Sequence, residues 1–374
     1  MRRIPITSKI ETIAKRYALE LEGLKNENPK TRLLDLSKKL RKSSASIRIP
    51  IKGTKKHVIH KGNKFTAASD YVKAIHDHYE GLNSLLPSEY AEKISKHVDP
   101  ELAGYDVSEI KVKLPQKRLQ PLFELIVDAM RYAKVQKDIM PKYIKEMGIK
   151  TCSYCNAQFT TTALIQEIKY AKKGKFDVKT IDASCYELDH NKAKSVYPYL
   201  CTNFYNLQPS CSSCNRRKNN RELDFSLYYE VHETDIKPVH FALAPDDLIN
   251  FRINNQCKGV KANLCNEGTD FPPSIQDNTS KAGKMNHMLG IQGIYDEYDD
   301  VVEEILWKHK IYSRGFMTAT ENQIKSLGIA GFDMKRFVLG GYYTNDDDFL
   351  KRPLSILKND LWEQLNKTSG DTKI

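Results

Sequence analysis

The 374-residue sequence predicts an α+β protein in three parts: mostly helical over residues 1–149, a cysteine-paired α+β segment over 150–220, and a mixed C-terminal stretch over 221–374, helical from about residue 293. Three observations carry that reading. Apolar residues recur at helical spacing through much of the first 150 residues and again beyond 293. From Thr151 the texture changes to short alternating segments dense in turn residues. Six of the eight cysteines fall in that middle segment, four of them as two Cys-x-x-Cys pairs.

The elements follow in order. Residues 8–26 carry Ile10, Ile13, Ala14, Tyr17, Ala18 and Leu21 on one helical face, and residues 30–42 carry Leu33, Leu34, Leu36 and Leu40, with the Asn28-Pro29 break between them. Ile47 to Phe65 reads as a loop with weak alternation. Further helices are expected over 67–83 and 117–136, the second strongly amphipathic through Leu119, Leu122, Phe123, Leu125, Ile126, Ala129 and Met130. Residues 221–283 read as short strands and loops, 293–327 as helix, and 352–366 as a last helix started by Pro353. The amphipathic stretches near 119–130 and 294–306 are candidate faces for a homo-oligomer.

Composition narrows the function classes. At 40% apolar the chain can build a sizeable core in two or three domains of roughly 150 residues, which excludes a mostly disordered protein. Its charged content of 28%, mean hydropathy of −0.56 and lack of any run near the ~18 to 20 apolar residues of a membrane helix predict a soluble chain with no membrane partner. The N-terminus lacks the apolar core of a secretory signal, so a cytoplasmic location is expected. Residues 1–65 hold 18 Lys and Arg against five acids, a local +13 within a total of +12, so the remainder sums to about −1. Such a block suits a polyphosphate partner, because each neutralised phosphate releases counterions, although a basic segment can also be merely solvated.

Cys152-Ser-Tyr-Cys155 and Cys211-Ser-Ser-Cys214 each place two thiols on one tight turn, and together they complete a closed, tetrahedral, structural zinc site. The 55 residues between Cys155 and Cys211 exceed the ~12 to 20 of a compact zinc ribbon. Either the pairs meet in space or each does something separate. Cys185, Cys201, Cys257 and Cys265 show no paired spacing, and packing is their default reading.

Between and just past the pairs runs Asp189-His190, then Asn206-Leu207 sixteen residues on, then Cys211-x-x-Cys214-Asn215-x-x-Lys218. In this order and spacing the segment resembles the HNH endonuclease superfamily, in which a β-hairpin and a following helix clasp one divalent ion, and Asn215 matches the variant with Asn at the last position. The resemblance covers roughly residues 150–220. It implies that His190 is the general base, that Asp189 and Asn215 hold a catalytic magnesium or, second, manganese ion, and that Asn206 fixes the loop and orients His190. Many relatives carry His where this chain has Asn215. Arg216, Lys218, Lys192 and Lys194 are the implied phosphate-binding cations. Phosphodiester hydrolysis needs a deprotonated water and a Lewis acid, and an imidazole with a pKa near 6.5 beside hard oxygen ligands supplies that set. Adjacent strand residues project to opposite faces, so bringing Asp189 and His190 to one phosphate requires a local distortion.

The Asp-His, Lys-Ser-x-Tyr-Pro and Asn-Leu-x-Pro-Ser-Cys pattern, and the tail from Lys351 to Leu365, are similar to the HNH effector nucleases of bacterial anti-phage defence systems, of which the nuclease subunit of Septu is one. That implies DNA as substrate and a partner ATPase that gates cleavage, and the chain has no phosphate-binding G-x-x-x-x-G-K-[ST] of its own. A stand-alone restriction or homing-type nuclease is the alternative, and a zinc-stabilised nucleic-acid-binding protein with a vestigial site is the other. A Ser-His-Asp hydrolase lacks its G-x-S-x-G turn. His232, His240, His287 and His309 stand alone and read as structural or surface groups. The insertion over 160–185, with Lys169, Lys172, Lys173 and Lys175, reads as a protruding basic hairpin or a solvated loop.

Overall fold

The first helix, Ser8–Glu22, starts where the Thr7 hydroxyl accepts from the Ile10 N–H, and it buries Ile10, Ile13, Ala14, Tyr17, Ala18 and Leu21, the face read from the sequence. Asn28 caps Pro29–Leu40 in the same way, with Pro29 in the first turn and Leu33, Leu36 and Leu40 buried. The computed structural model describes residues 2–367 apart from 26–27, 52, 103, 171–175, 231, 234–236, 269–276, 342 and 344–345.

The expected loop over 47–65 is instead a hairpin, Ser46–Pro50 against His57–Lys61, extended by Lys111–Lys113 and Gln120–Pro121 into a four-stranded sheet. Ile47, Ile49 and Val112 bury its inner face. Just beyond, a Cβ on Gly62 would stand 1.9 Å from the Leu40 carbonyl oxygen, so only glycine allows the hairpin to close onto the end of the second helix.

The single helix expected over 117–136 is broken. Leu122–Ala129 is helical, Arg131 takes a left-handed φ of 64°, and the chain resumes through Tyr132–Lys134 and a π-type turn, Val135–Ile139, into Met140–Met147. The break swings Tyr132 into the middle segment, where its hydroxyl donates to the Leu188 carbonyl at 2.8 Å. Leu122, Leu125, Ile126 and Ala129 are buried inside this chain, as are Val302, Ile305 and Leu306 of the helix Asp299–Ile311, so the apolar faces read as candidate dimer surfaces are used in the chain's own core.

The middle segment holds the long antiparallel hairpin Thr162–Tyr170 with Phe176–Ser184, the short pair Glu187–His190 with Leu207–Ser210, and the helix Ser212–Lys218. Lys169 lies on the first strand of the long hairpin, while Lys172, Lys173 and Lys175 lie outside the described residues. Beyond 221, Val239–Leu243 pairs with Ala262–Asn266, and the helix Pro245–Asn254, unexpected from the sequence, connects them. The last helix, Ser355–Lys367, lies along Val239–Leu243 and substitutes for a third strand: Asp360 accepts from Phe241 N–H at 3.0 Å, and the Gln364 amide accepts from Leu243 N–H at 2.7 Å and donates to its carbonyl at 3.1 Å.

The three stretches share one buried apolar cluster that runs from Ile4 to Leu365. Ile4–Pro5 pairs in parallel with Tyr228–Tyr229, and Tyr17 and Tyr90 reach into the middle segment to bond Thr202 and Asn203. Mixed α+β architecture is therefore what the chain adopts. Among the described residues no helix is long and apolar enough to cross a membrane.

Candidate metal centre and active site

The two Cys-x-x-Cys turns meet. The Sγ atoms of Cys152, Cys155, Cys211 and Cys214 all lie within 4.8 Å of one another and all four residues are buried. A tetrahedron with metal–sulfur bonds of ~2.3 Å has edges of about 3.8 Å, so the cluster is set to hold an ion such as zinc. Two backbone N–H groups already point at sulfur, Cys211 N–H to Cys152 Sγ at 3.3 Å and Ala157 N–H to Cys155 Sγ at 3.5 Å. Crowding splits the thiol acidities. Cys211 is driven down by hydrogen bonding from Cys152 and its neighbours, and Cys214 is driven up by the same group. A bound cation favours the thiolate form of all four.

The first turn is anchored by the C-terminal tail. Asn156, at a left-handed φ of 51°, donates to Thr151 Oγ1 at 2.9 Å and to the Phe349 carbonyl at 3.0 Å, and its side-chain oxygen accepts from Ile356 N–H at 3.1 Å. Tyr295 donates to the Cys155 carbonyl at 2.6 Å. These contacts explain how pairs 55 residues apart in sequence close one site: the rest of the chain holds the first turn in place.

Cys211 and Cys214 sit at the start of Ser212–Lys218, which packs over one face of the strand Glu187–His190. The register pairs Glu187 with Ser210, Asp189 with Gln208 and His190 with Leu207 without interruption. No distortion brings Asp189 and His190 together; they take opposite faces of a regular strand.

On the helix-facing side, Asp189 Oδ2 accepts from the Tyr154 hydroxyl and pairs with Lys218 Nζ at 3.0 Å. Lys218 is fully buried and also donates to the His190 carbonyl at 2.7 Å. It is therefore not a surface phosphate clamp, as the motif suggested, but the internal counter-ion of Asp189. Burial raises the Asp189 pKa, and Lys218 is the main influence opposing that rise. Two residues earlier on the same face, Glu187 accepts from Asn215 Nδ2 at 2.5 Å. Sequence reasoning missed Glu187 and Tyr154. The signal for Glu187 was its position two before Asp189 on a strand; Tyr154 gave none beyond lying inside the cysteine turn.

His190 faces the other way. Its Nε2–H donates to the Cys201 carbonyl at 3.0 Å, and its ring lies 4.7 Å from that of Tyr132. Burial, then the nearby Lys194 cation, pushes its pKa down to about 3. The Asn206 side chain makes its hydrogen bonds to other residues than His190. It pins the intervening loop, with Oδ1 accepting from Lys192 N–H at 2.7 Å and Nδ2 donating to the Lys192 and Leu200 carbonyls at 3.1 and 2.9 Å. The loop then presents the Cys201 carbonyl to His190, so Asn206 orients the ring at one remove.

Of the remaining cations, Arg216 is exposed, Lys194 lies with its Nζ 4.7 Å from the Tyr132 ring centre, and Lys192 pairs with Glu222 at 2.7 Å. Cys201, Cys257 and Cys265 are buried as expected, whereas Cys185, at the foot of the long hairpin, is exposed. Comparison of the chain with protein-family models, with curated proteins and with solved structures finds no match.

Proposed function

We propose that this chain is a metal-dependent HNH endonuclease that hydrolyses DNA phosphodiester bonds, and that it serves as the effector nuclease of an anti-phage defence system gated by a partner ATPase. The supporting observation is the placement of the motif residues on one strand–strand–helix unit: Asp189 and His190 on the first strand, Asn206 just before the second, and Asn215 on the helix that the cysteine cluster starts.

Zinc fits the four thiolates as a structural ion, and by tying the 152–155 turn to the start of the helix Ser212–Lys218 it would add folding energy to the middle segment. The hard oxygen donors on the helix-facing side that could hold magnesium or manganese are Asn215 Oδ1, Glu187 and the Asp189 oxygen not held by Lys218. When bound there, the ion neutralises charge that develops on the phosphate and leaving oxygen. Lys218 offsets part of what burial costs the Asp189 carboxylate. The Cys201 carbonyl fixes the Nε2–H tautomer of His190, which leaves Nδ1 as the lone pair able to take a proton from water. Lys194 and Arg216 supply mobile cations for the phosphodiester.

In this state His190 is 5% exposed and titrates near 3, so the base is both covered and weak. That supports a nuclease held in check, with the partner's role being to uncover His190 and to distort the regular strand that here sets it on the face opposite Asp189. The same observation favours the second reading, a zinc-stabilised nucleic-acid-binding protein with a vestigial site. His190→Ala separates them. The nuclease reading expects that it abolishes metal-dependent nicking while zinc content and DNA affinity stay near wild type. Equal nicking by mutant and wild type would discard His190 as the base.

A further inference from the structure

Several cations of the first 65 residues are neutralised once the chain folds. Arg2, Arg3, Arg16, Lys30, Arg32 and Arg41 each meet a carboxylate. The cations of the four-stranded sheet do not: among the described residues Arg48, Lys61, Lys111 and Lys113 have no ion-pair partner. Their surroundings offer little choice, since residues 36–69 hold ten Lys or Arg and no acid, and residues 110–123 hold four and no acid.

Register puts these four on one face. Ser46 pairs with Lys61 on one side and Lys113 on the other, and Arg48 pairs with Ile59 and Lys111. Ile47, Ile49 and Val112, the alternate residues, point into the core, so the Arg48–Lys111 row and the Lys61–Lys113 row both face outward. Strand spacing of ~4.8 Å and a two-residue rise of ~6.8 Å set the four charges on a grid of roughly 10 by 7 Å. Arg48 directly opposite Lys111 is a like-charge cross-strand pair, which destabilises a sheet. Asp106 and Glu109 line a cavity with Ile49, Val58 and His60, on the other face.

We propose that this outward sheet face is the docking surface for double-stranded DNA, contacting phosphates through Arg48, Lys61, Lys111 and Lys113. A polyanion relieves the Arg48–Lys111 repulsion, and the grid spans distances comparable with the ~6 and ~12 Å widths of the two DNA grooves. The exposed Lys117 and Arg118, in the turn after Lys113, extend the same field. The inference rests on the nuclease reading for its choice of DNA, and it separates binding from the cutting site around His190.

The test uses the full chain and a duplex of about 30 base pairs in EDTA, with affinity measured over a salt series, so that no cleavage is needed. The quadruple variant Arg48→Ser, Lys61→Ser, Lys111→Ser, Lys113→Ser is expected to lower the slope of log K against log salt by about three to four, at roughly 0.9 per lost phosphate contact. At about 0.15 M salt that corresponds to a loss on the order of 10²- to 10³-fold. A control of equal charge change on other elements, Lys9→Ser, Lys25→Ser, Lys258→Ser, Lys325→Ser, is expected to change the slope by less than one. Unchanged affinity in the quadruple variant, equal losses in both variants, or wild-type preference for an acidic polypeptide over DNA would each overturn the proposal. Failure of the nuclease reading looks different: wild type then binds the duplex with the full slope yet does not nick plasmid with magnesium.

Discussion

Lys218→Met removes a cation from a fully buried position and leaves the Asp189 carboxylate without its counter-charge. Two unit charges 3.0 Å apart interact by about 5 kcal/mol at an effective dielectric near 20, and breaking one partner of a buried pair typically costs about 3 to 5 kcal/mol. The hydrogen bond to the His190 carbonyl is lost as well. Urea unfolding at pH 8 should therefore place the variant about 3 to 5 kcal/mol below wild type. Adding Asp189→Asn should recover much of the deficit, because the carboxylate no longer needs a partner. The pH dependence has a defined sign. Asp189 already has a raised pKa from burial, and losing Lys218 raises it further. A raised carboxyl is accommodated when protonated and penalised when ionised, so the deficit should shrink as pH falls from 8 towards 5. A phosphate clamp would behave otherwise, with stability unchanged and a DNA salt slope lower by about one. That outcome would refute the buried-pair reasoning.

Other expectations follow from the same contacts. Cys214→Ser, or a strong chelator on wild type, should release about one equivalent of zinc and unfold the 150–220 segment, seen as loss of protection in hydrogen exchange there. Asn156→Ala should cost about 2 to 4 kcal/mol in unfolding free energy, since it removes three buried hydrogen bonds that tie the cysteine turn to the C-terminal tail. With zinc bound, a maleimide at pH 7.5 should label Cys185 quickly and the other seven cysteines slowly, because Cys185 is exposed while burial pushes the Cys201 thiol up to about 12. Mass mapping of the labelled peptides checks this, and fast labelling of Cys201 would contradict its placement.

Much of this molecule was legible in the chain because its signals were local. The helical faces of residues 8–22 and 29–40 and the Asn28-Pro29 break between them could be read from spacing and residue type. The cysteine pairs carried their own geometry. What escaped depended on contacts distant in sequence. The hairpin 46–61 was hidden because its second strand, His57 to Lys61, is almost wholly exposed and so shows no alternation. The break at Arg131 has no Gly or Pro to announce it. Pro245–Asn254 was masked by its Asp- and Asn-rich surroundings, although Pro245 followed by Asp246 and Asp247 is a good helix start. Lys218 was misread because lysine is normally exposed, and only the folded packing reveals a carboxylate and a carbonyl waiting for it.

Cleavage of supercoiled plasmid by the purified chain, with magnesium or manganese and with EDTA as control, tests the central claim most directly. The account predicts metal-dependent nicking that leaves 5′-phosphate and 3′-hydroxyl ends, weak for the chain alone and raised when the partner ATPase is added, and absent in His190→Ala at equal zinc content. Full zinc occupancy and tight DNA binding with no nicking, even with the partner and either metal present, would contradict it.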